Sequence, residues 1–153
     1  MELWELSARE EIRDLVATYN LAGDRGRLDD LLALFAPDAA LSIDGVDHVG
    51  HDAIRAVFTT ATGPVPQRVR HFTATLGIEV ASPEDATARC YFQVLTPDGL
   101  DHWGRYTDRF VRTGGRWLFA HRSVRVEGAV PGGWAATRGY PAPPRHAPAH
   151  EEP

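Results

Sequence analysis

The segment YNLAGD, residues 19–24, closes the first amphipathic helix of the chain, and the other elements are predicted to build a scaffold opposite it. Apolar residues recur at helical spacing up to Tyr19, so we expect the Tyr19 ring to point inward. Gly23 tolerates the left-handed backbone conformation in which many helices end, so the helix is expected to end there. Asp24 follows directly. The sequence therefore predicts a phenol and a carboxylate close together on the inner side of one helix end.

Each of these two side chains also has a simpler alternative role. Tyr19 could be an ordinary core tyrosine, whose buried hydroxyl would then need a hydrogen-bond partner. Asp24 could cap the second helix, which is predicted to begin near Arg27. The spacing alone leaves both alternatives open.

The composition fits one globular domain that acts on something other than nucleic acid. The 153 residues are 43% hydrophobic and 24% charged, which is ordinary for such a domain. A formal net charge of -5 argues against a nucleic-acid binder, since the sequence has no basic stripe that could contact the phosphates. The single cysteine, Cys90, excludes an intramolecular disulfide and a cysteine-based zinc site. Neither a signal peptide nor a membrane span is visible, so we expect a cytoplasmic protein without membrane contact.

The apolar pattern divides the chain into a mostly helical first half and a β-strand second half. Ser7-Ala8-Arg9-Glu10 fits a capping box, which predicts that helix one begins near Ser7. From residue 69 the apolar period changes to two, and tight turns separate the strands, which predicts an antiparallel meander. The predicted elements after helix one are helices near 28–35 and from 51, a short strand over 39–43, and long strands over 69–80, 86–95, 102–112 and 116–126.

This order of elements predicts a single α+β domain over residues 1–128. A strongly bent antiparallel sheet wrapped around the N-terminal helices would form a cone-shaped barrel, with a ligand cavity between sheet and helices. Residues 129–153 form a Pro- and Gly-rich C-terminal tail, and its last part, 141–153, is expected to be disordered.

Six short segments, in this order, resemble the SnoaL-like family of the nuclear transport factor 2-like superfamily. They are YNLAGD at 19–24, LFAPDA at 34–39, GHDAI at 50–54, RHF at 70–72, GRYTD at 104–108 and WLFAHR at 117–122. The resemblance covers about residues 5–127. It implies a cone-shaped α+β barrel with an apolar pocket. Members include polyketide cyclases, dehydratases, ketosteroid isomerases and non-catalytic binding domains, so the fold does not choose the function.

The resemblance also implies a catalytic group. In dehydratase-like members, a Tyr and an Asp at the end of helix one face a His at the start of the first long strand, and Tyr19, Asp24 and His71 stand in those places. Asp24 would fix the tautomer of His71, which could then move a proton next to a carbonyl. Tyr19 could donate to that carbonyl and hold the enolate. This chemistry needs no metal and no organic cofactor.

The strand that carries His71 raises a question of side-chain direction. His71 alternates with the apolar side chains that run from Phe72 to Val80, so it belongs to the more polar face of the strand. If the apolar face lines the cavity, His71 can point inward only where a β-bulge interrupts the alternation.

Further polar residues of the strands are predicted to bind substrate: Tyr91, Gln93, Tyr106 and Arg122. Some dehydratase relatives have a carboxylate on the second long strand. Here that strand has no acid between Ala86 and Leu95, and Gln93 can hydrogen-bond but cannot move a proton. Arg122 shares a strand face with apolar residues, so a buried, paired arginine is the alternative for it.

The expected function is cofactor-independent acid–base catalysis by a dehydratase or an isomerase/cyclase. The substrate would be a small, mostly apolar carbonyl compound, such as a polyketide- or steroid-like molecule. One alternative is a non-catalytic ligand-binding or dimerisation domain. Another is an accessory subunit that resembles the small subunit of ring-hydroxylating dioxygenases. The resemblance implies a homodimer or a higher homo-oligomer.

Overall fold

The computed structural model describes residues 1–60 and 68–140, and the tail segment 141–153, predicted to be disordered, lies outside them. Its elements are α1 (Leu3–Asp24), α2 (Leu28–Leu32), β1 (Phe35–Ile43), β2 (Val46–Val49), α3 (His51–Thr59), β3 (Arg70–Val80), β4 (Asp85–Thr96), β5 (Gly99–Thr113), β6 (Arg116–Ala129) and α4 (Trp134–Thr137). Among the helices of these residues, none is both long and apolar enough to cross a bilayer.

Helix α1 begins one turn earlier than the sequence predicted. Its first residue is Leu3, and the predicted capping box is wrong, because the Ser7 hydroxyl donates to Oε1 of Glu11 (3.0 Å) inside the helix. A serine within a helix bonds to a neighbouring turn when the backbone N–H groups around it are already paired.

Helix α1 ends at Asp24, one residue beyond the predicted Gly23, and its left-handed glycine lies three residues later than predicted. Gly26, not Gly23, takes the left-handed conformation, with φ of 65°. The N–H of Gly26 donates to the carbonyl of Gly23 (3.1 Å), and the N–H of Arg27 donates to the carbonyl of Ala22 (2.9 Å). These two bonds make a Schellman motif that satisfies the last carbonyls of the helix. Asp24 therefore lies in the last turn of α1, on a backbone fixed by hydrogen bonds.

The strands form one six-stranded sheet in the order β2-β1-β6-β5-β4-β3. The predicted meander from β3 to β6 is confirmed, because each strand pairs antiparallel with the next. The sheet is nevertheless mixed, since β1 runs parallel to β6. The long connection between β1 and β6 puts no hairpin constraint on their direction. β1 is longer than predicted, and β2 was not predicted.

The helices cover one face of this sheet, which confirms the predicted α+β class with a bent sheet around N-terminal helices. α1 packs against β3 at one edge of the sheet and against β6 in its interior. Strand β4 shows which residues face the helices. Its buried side chains alternate with exposed ones, and they are Ala86, Ala88, Cys90, Phe92 and Val94.

Candidate active site

Asp24 and His71 are in direct contact in the wall of a cavity. The Nδ1 of His71 donates to Oδ1 of Asp24 at 2.6 Å, and the backbone N–H of His71 donates to Oδ2 of Asp24 at 2.9 Å. Because a carboxylate only accepts hydrogen bonds, this contact places a ring hydrogen on Nδ1, so that the lone pair of the neutral ring is on Nε2. Helix α2 has no side-chain cap at its first turn, so Asp24 bonds to His71 and does not cap α2.

A β-bulge in β3 turns His71 toward the helices. On one side of the bulge His71 lies opposite the buried Val94 of β4, and on the other side Ile78 lies opposite the buried Ala88. Residues 71 and 78 are seven positions apart, so in a regular strand they would point to opposite faces. Because both point to the same face, one extra residue must interrupt the alternation between them. The register shifts between Ala74 and Gly77, and Thr75 has a left-handed φ of 57°. This is the bulge that the strand pattern required.

The cavity lies between the helices, the sheet and the C-terminal segment, and its volume is about 590 Å³. Tyr19, Asp24 and His71 all line it. Most other lining side chains are apolar or aromatic, among them Leu28, Leu31, Ile43, Val57, Phe92 and Trp134. A volume of this size accepts a small organic molecule, and the few polar groups would fix its orientation.

Two tyrosines of the cavity wall are kept protonated by burial. Burial raises the pKa of Tyr19, although the nearby Arg122 opposes the shift, and burial raises the pKa of Tyr106 well above its usual value. Both rings belong to the aromatic core, where Tyr106 stacks on Phe92 with 4.5 Å between ring centroids. At neutral pH both hydroxyls are therefore hydrogen-bond donors.

Arg122 lies behind these rings and has no surface in the cavity. Its guanidinium is fully buried, 4.2 Å from the Tyr19 ring centroid and 4.1 Å from that of Tyr106. It donates to both carboxylate oxygens of Asp108 at 2.8 Å each. The alternative of a buried, paired arginine is what the structure contains, and Arg122 supports the wall that holds the tyrosines.

The other predicted substrate-binding residues divide between the two faces of the sheet. Tyr106 lines the cavity. Tyr91 and Gln93 lie on the opposite face of β4 because Phe92 between them points inward, and Tyr91 is 58% exposed. The structure therefore does not bring Tyr91 and Gln93 to the site.

Sequence reasoning missed a second histidine–aspartate pair in the same cavity. Nδ1 of His102 donates to Oδ2 of Asp101 at 2.7 Å, and His102 lines the cavity. Two consecutive polar residues at the start of a period-two strand were the available signal, because one of them had to point inward. Asn20 was also missed. It lines the cavity beside Tyr19, and its buried Oδ1 has no partner among the residues that the structure describes.

The model of the SnoaL-like domain matches residues 4–123, and the chain belongs to this family. No curated protein matches it significantly. Several solved structures share the fold, which is the cystatin-like fold of nuclear transport factor 2-like proteins. A nuclear transport factor 2-like protein from Novosphingobium aromaticivorans is 26% identical with a TM-score of 0.66, over 90% of this chain and 96% of that one.

Two further solved structures with this fold are of proteins that are named as enzymes. A candidate scytalone dehydratase from Novosphingobium aromaticivorans DSM 12444 is 22% identical with a TM-score of 0.77, over 96% of this chain and 99% of that one. The hexachlorocyclohexane dehydrochlorinase LinA-type3 from Novosphingobium barchaimii LL02 is 19% identical with a TM-score of 0.74, over 85% and 93%. At these identities the likeness establishes the fold alone.

Proposed function

We propose that the protein is a cofactor-independent acid–base enzyme, a dehydratase or an isomerase, that acts on a small and mostly apolar carbonyl compound. The observation that carries the proposal is the contact of 2.6 Å between Asp24 and His71 at the wall of a largely apolar cavity. A histidine whose Nδ1 is held by a carboxylate has its Nε2 free to accept a proton.

In the first step, Nε2 of His71 takes a proton from the carbon next to the carbonyl, and the electron pair of that C–H bond forms an enolate. Asp24 stabilises the imidazolium that results. In dehydration the enolate collapses to a C=C bond, the β carbon–oxygen bond breaks, and His71 returns the proton to the hydroxyl, which leaves as water. In isomerisation His71 returns the proton to another carbon.

The enolate oxygen needs a hydrogen-bond donor in a dry environment. Tyr19 lines the same cavity, is 8% exposed and stays protonated, so its hydroxyl would donate to the carbonyl and hold the enolate. One such donor lowers the barrier by about 3 kcal/mol. Two structures with this fold are named for elimination chemistry, a dehydratase and a dehydrochlorinase, which supports an elimination or a related proton transfer here.

The test is turnover of a panel of β-hydroxy carbonyl compounds by the wild type, His71→Ala and Asp24→Asn. His121→Ala is the matched control, because the His121 side chain is 37% exposed on β6 and lies outside the residues that line the cavity. We expect turnover by the wild type and the control, and its loss in the two site variants. Equal turnover in all four proteins would exclude the mechanism. Ligand binding without turnover by any protein would instead indicate a binding domain.

A further inference from the structure

We propose that Nε2 of His102 accepts a hydrogen bond from a hydroxyl group of the substrate, so that the cavity selects hydroxylated over non-hydroxylated apolar molecules. The inference deepens the proposed function, because it names a second recognition point in the same cavity. It concerns binding and needs no turnover by His71.

The tautomer of His102 follows from the contacts of Asp101. The Asp101 carboxylate is buried and accepts three hydrogen bonds, from the backbone N–H groups of Trp134 (2.5 Å) and Ala135 (3.0 Å) and from Nδ1 of His102 (2.7 Å). A carboxylate surrounded by donors accepts only, so Nδ1 of the neutral His102 ring carries the hydrogen. Nε2 then carries a lone pair and is an acceptor.

A β-bulge brings this pair to the inner face of the sheet. Leu100 pairs with Leu95, and His102 pairs with Val94, so Asp101 is an extra residue on β5. Both Asp101 and His102 are consequently buried, at 2% and 8% exposure, although they are adjacent in a strand.

The surroundings of Nε2 of His102 are mostly apolar. Two aromatic rings contact the imidazole edge to face, Phe92 at 6.0 Å and Trp134 at 5.8 Å between centroids. Within residues 1–60 and 68–140, Nε2 makes no hydrogen bond, and His102 lines the cavity. Nε2 is not one of the enclosed polar atoms without a partner, so it opens to the cavity. A ligand hydroxyl can donate to it there, whereas an otherwise identical ligand without the hydroxyl covers the acceptor unpaired, at a cost of about 1–3 kcal/mol.

His102 is neutral at pH 7, which the acceptor role requires. Burial lowers its pKa below the usual 6.5, and Asp101 opposes this shift. The other charged or titratable groups that act on it are His71 of β3 and Arg138 after α4, and both lower its pKa further. Nothing in this set of neighbours other than Asp101 favours the protonated ring.

His71 and His102 occupy one row across three strands. His71 of β3 lies opposite Val94 of β4, and Val94 lies opposite His102 of β5. Residues in such a row share a face of the sheet, and two strand spacings separate the outer backbones by about 10 Å. His71 and His102 both line the cavity, so a bicyclic molecule can reach both imidazoles, with its reacting carbon at His71 and its hydroxyl at His102.

His102 also helps to hold helix α4 through Asp101, so the test must separate this role from ligand binding. The variant His102→Asn does so, because the Asn amide nitrogen takes the place of Nδ1 and can still donate to Asp101. It has no atom at the position of Nε2. The parallel variant His71→Asn removes the other imidazole and leaves His102 intact.

The probes are 2-naphthol and 2-methoxynaphthalene, which share the naphthalene ring and its oxygen substituent, but only the naphthol donates a hydrogen bond. Calorimetry at pH 7.5 should show that the wild type binds 2-naphthol about 5–100-fold more tightly, as expected when one probe donates to the acceptor and the other covers it unpaired. This preference should persist in His71→Asn and disappear in His102→Asn. Equal affinities in the wild type, or a preference lost only in His71→Asn, would overturn the proposal.

A measurement on the wild type keeps the proposal testable if His102→Asn does not fold. The ¹⁵N chemical shift of Nε2 of His102 should change on binding of 2-naphthol, because the lone pair becomes hydrogen-bonded, and should not change with 2-methoxynaphthalene. An unchanged shift with saturating naphthol would overturn the assignment. Neither probe contains a carbonyl, so a negative result here leaves the chemistry proposed for His71 untouched.

Discussion

One carboxylate holds both the backbone and the ring of one histidine: Asp24 accepts from the N–H of His71 at 2.9 Å and from its Nδ1 at 2.6 Å. The first bond ties the start of β3 to the last turn of α1, and the second fixes the imidazole on that backbone. Asp24 therefore adds to the strand pairing with Val94 in fixing the position of His71. Substitutions can separate this structural role of Asp24 from the chemical role proposed for it.

Asp24→Asn should lower kcat/KM by about 10²–10⁴-fold, because an amide holds the ring but no longer stabilises the imidazolium or enforces one tautomer. The loss of folding stability should stay near 1–3 kcal/mol, since one oxygen still accepts from the backbone N–H. Steady-state kinetics and urea unfolding measure the two effects. Asp24→Ala is the comparison, and it should be less stable than Asp24→Asn. Unchanged kinetics in Asp24→Asn would contradict the assigned role.

Thr75→Gly should stabilise the protein by about 1 kcal/mol, or roughly 2–4 °C in Tm, because a β-branched residue is strained at its φ of 57°. Thr73→Gly is the matched control on the same strand. It lies in regular pairing with Phe92 of β4 and should lose about 1 kcal/mol. Thermal unfolding of both variants measures the difference. A destabilised Thr75→Gly would show that the bulge gains from its side chain more than the backbone strain costs.

The sequence was sufficient to predict those parts of the fold in which a pattern extends over many residues. The period-two strands from Arg70 to Ala129 and the six family segments predict the meander and the cone, because burial imposes alternation along a whole strand. The same rule explains the placement of Tyr91 and Gln93, since neighbours of the inward Phe92 must face outward. Pattern reasoning could state that His71 needed a bulge, but no residue type marked Thr75 as its position.

The roles of individual residues were less predictable than the strand patterns. Gly23 and Gly26 both permit a left-handed helix end, and only the hydrogen bonds to Ala22 and Gly23 show that Gly26 is used. The pairing of Asp101 with His102 depends on a bulge that a β-strand pattern does not encode. Local sequence lists the residues that can take such roles, and packing across the sheet selects among them.

Removal of one partner from the buried Arg122–Asp108 pair should strongly destabilise the folded protein. Both side chains are fully buried, so Asp108→Asn leaves an unpaired guanidinium in the core and should cost about 3–5 kcal/mol. The double variant Arg122→Met with Asp108→Leu removes both charges and should recover much of that loss. Urea denaturation of the wild type, the single variant and the double variant tests this. A double variant as unstable as the single one would mean that packing around Tyr19 and Tyr106, and not the unpaired charge, dominates.

The pH dependence of stability should carry a contribution from His102. Its pKa is lower in the folded state than the usual 6.5, mainly because of burial, so the unfolded chain binds more protons between these two values. The free energy of unfolding therefore decreases as the pH falls through 6.5 toward the folded pKa, and this contribution is fully present above 6.5. The decrease adds to whatever other groups contribute.

His102→Asn removes this titration while keeping a donor for Asp101, so its stability should fall less between pH 7.5 and pH 5 than that of the wild type. His121→Asn, which removes a partly exposed histidine from the surface of β6, is the control and should follow the wild-type curve more closely. Urea unfolding at half-unit pH intervals gives the three curves. A His102→Asn curve that runs parallel to the wild type over this range would show that His102 takes up a proton as readily in the folded protein as in the unfolded chain.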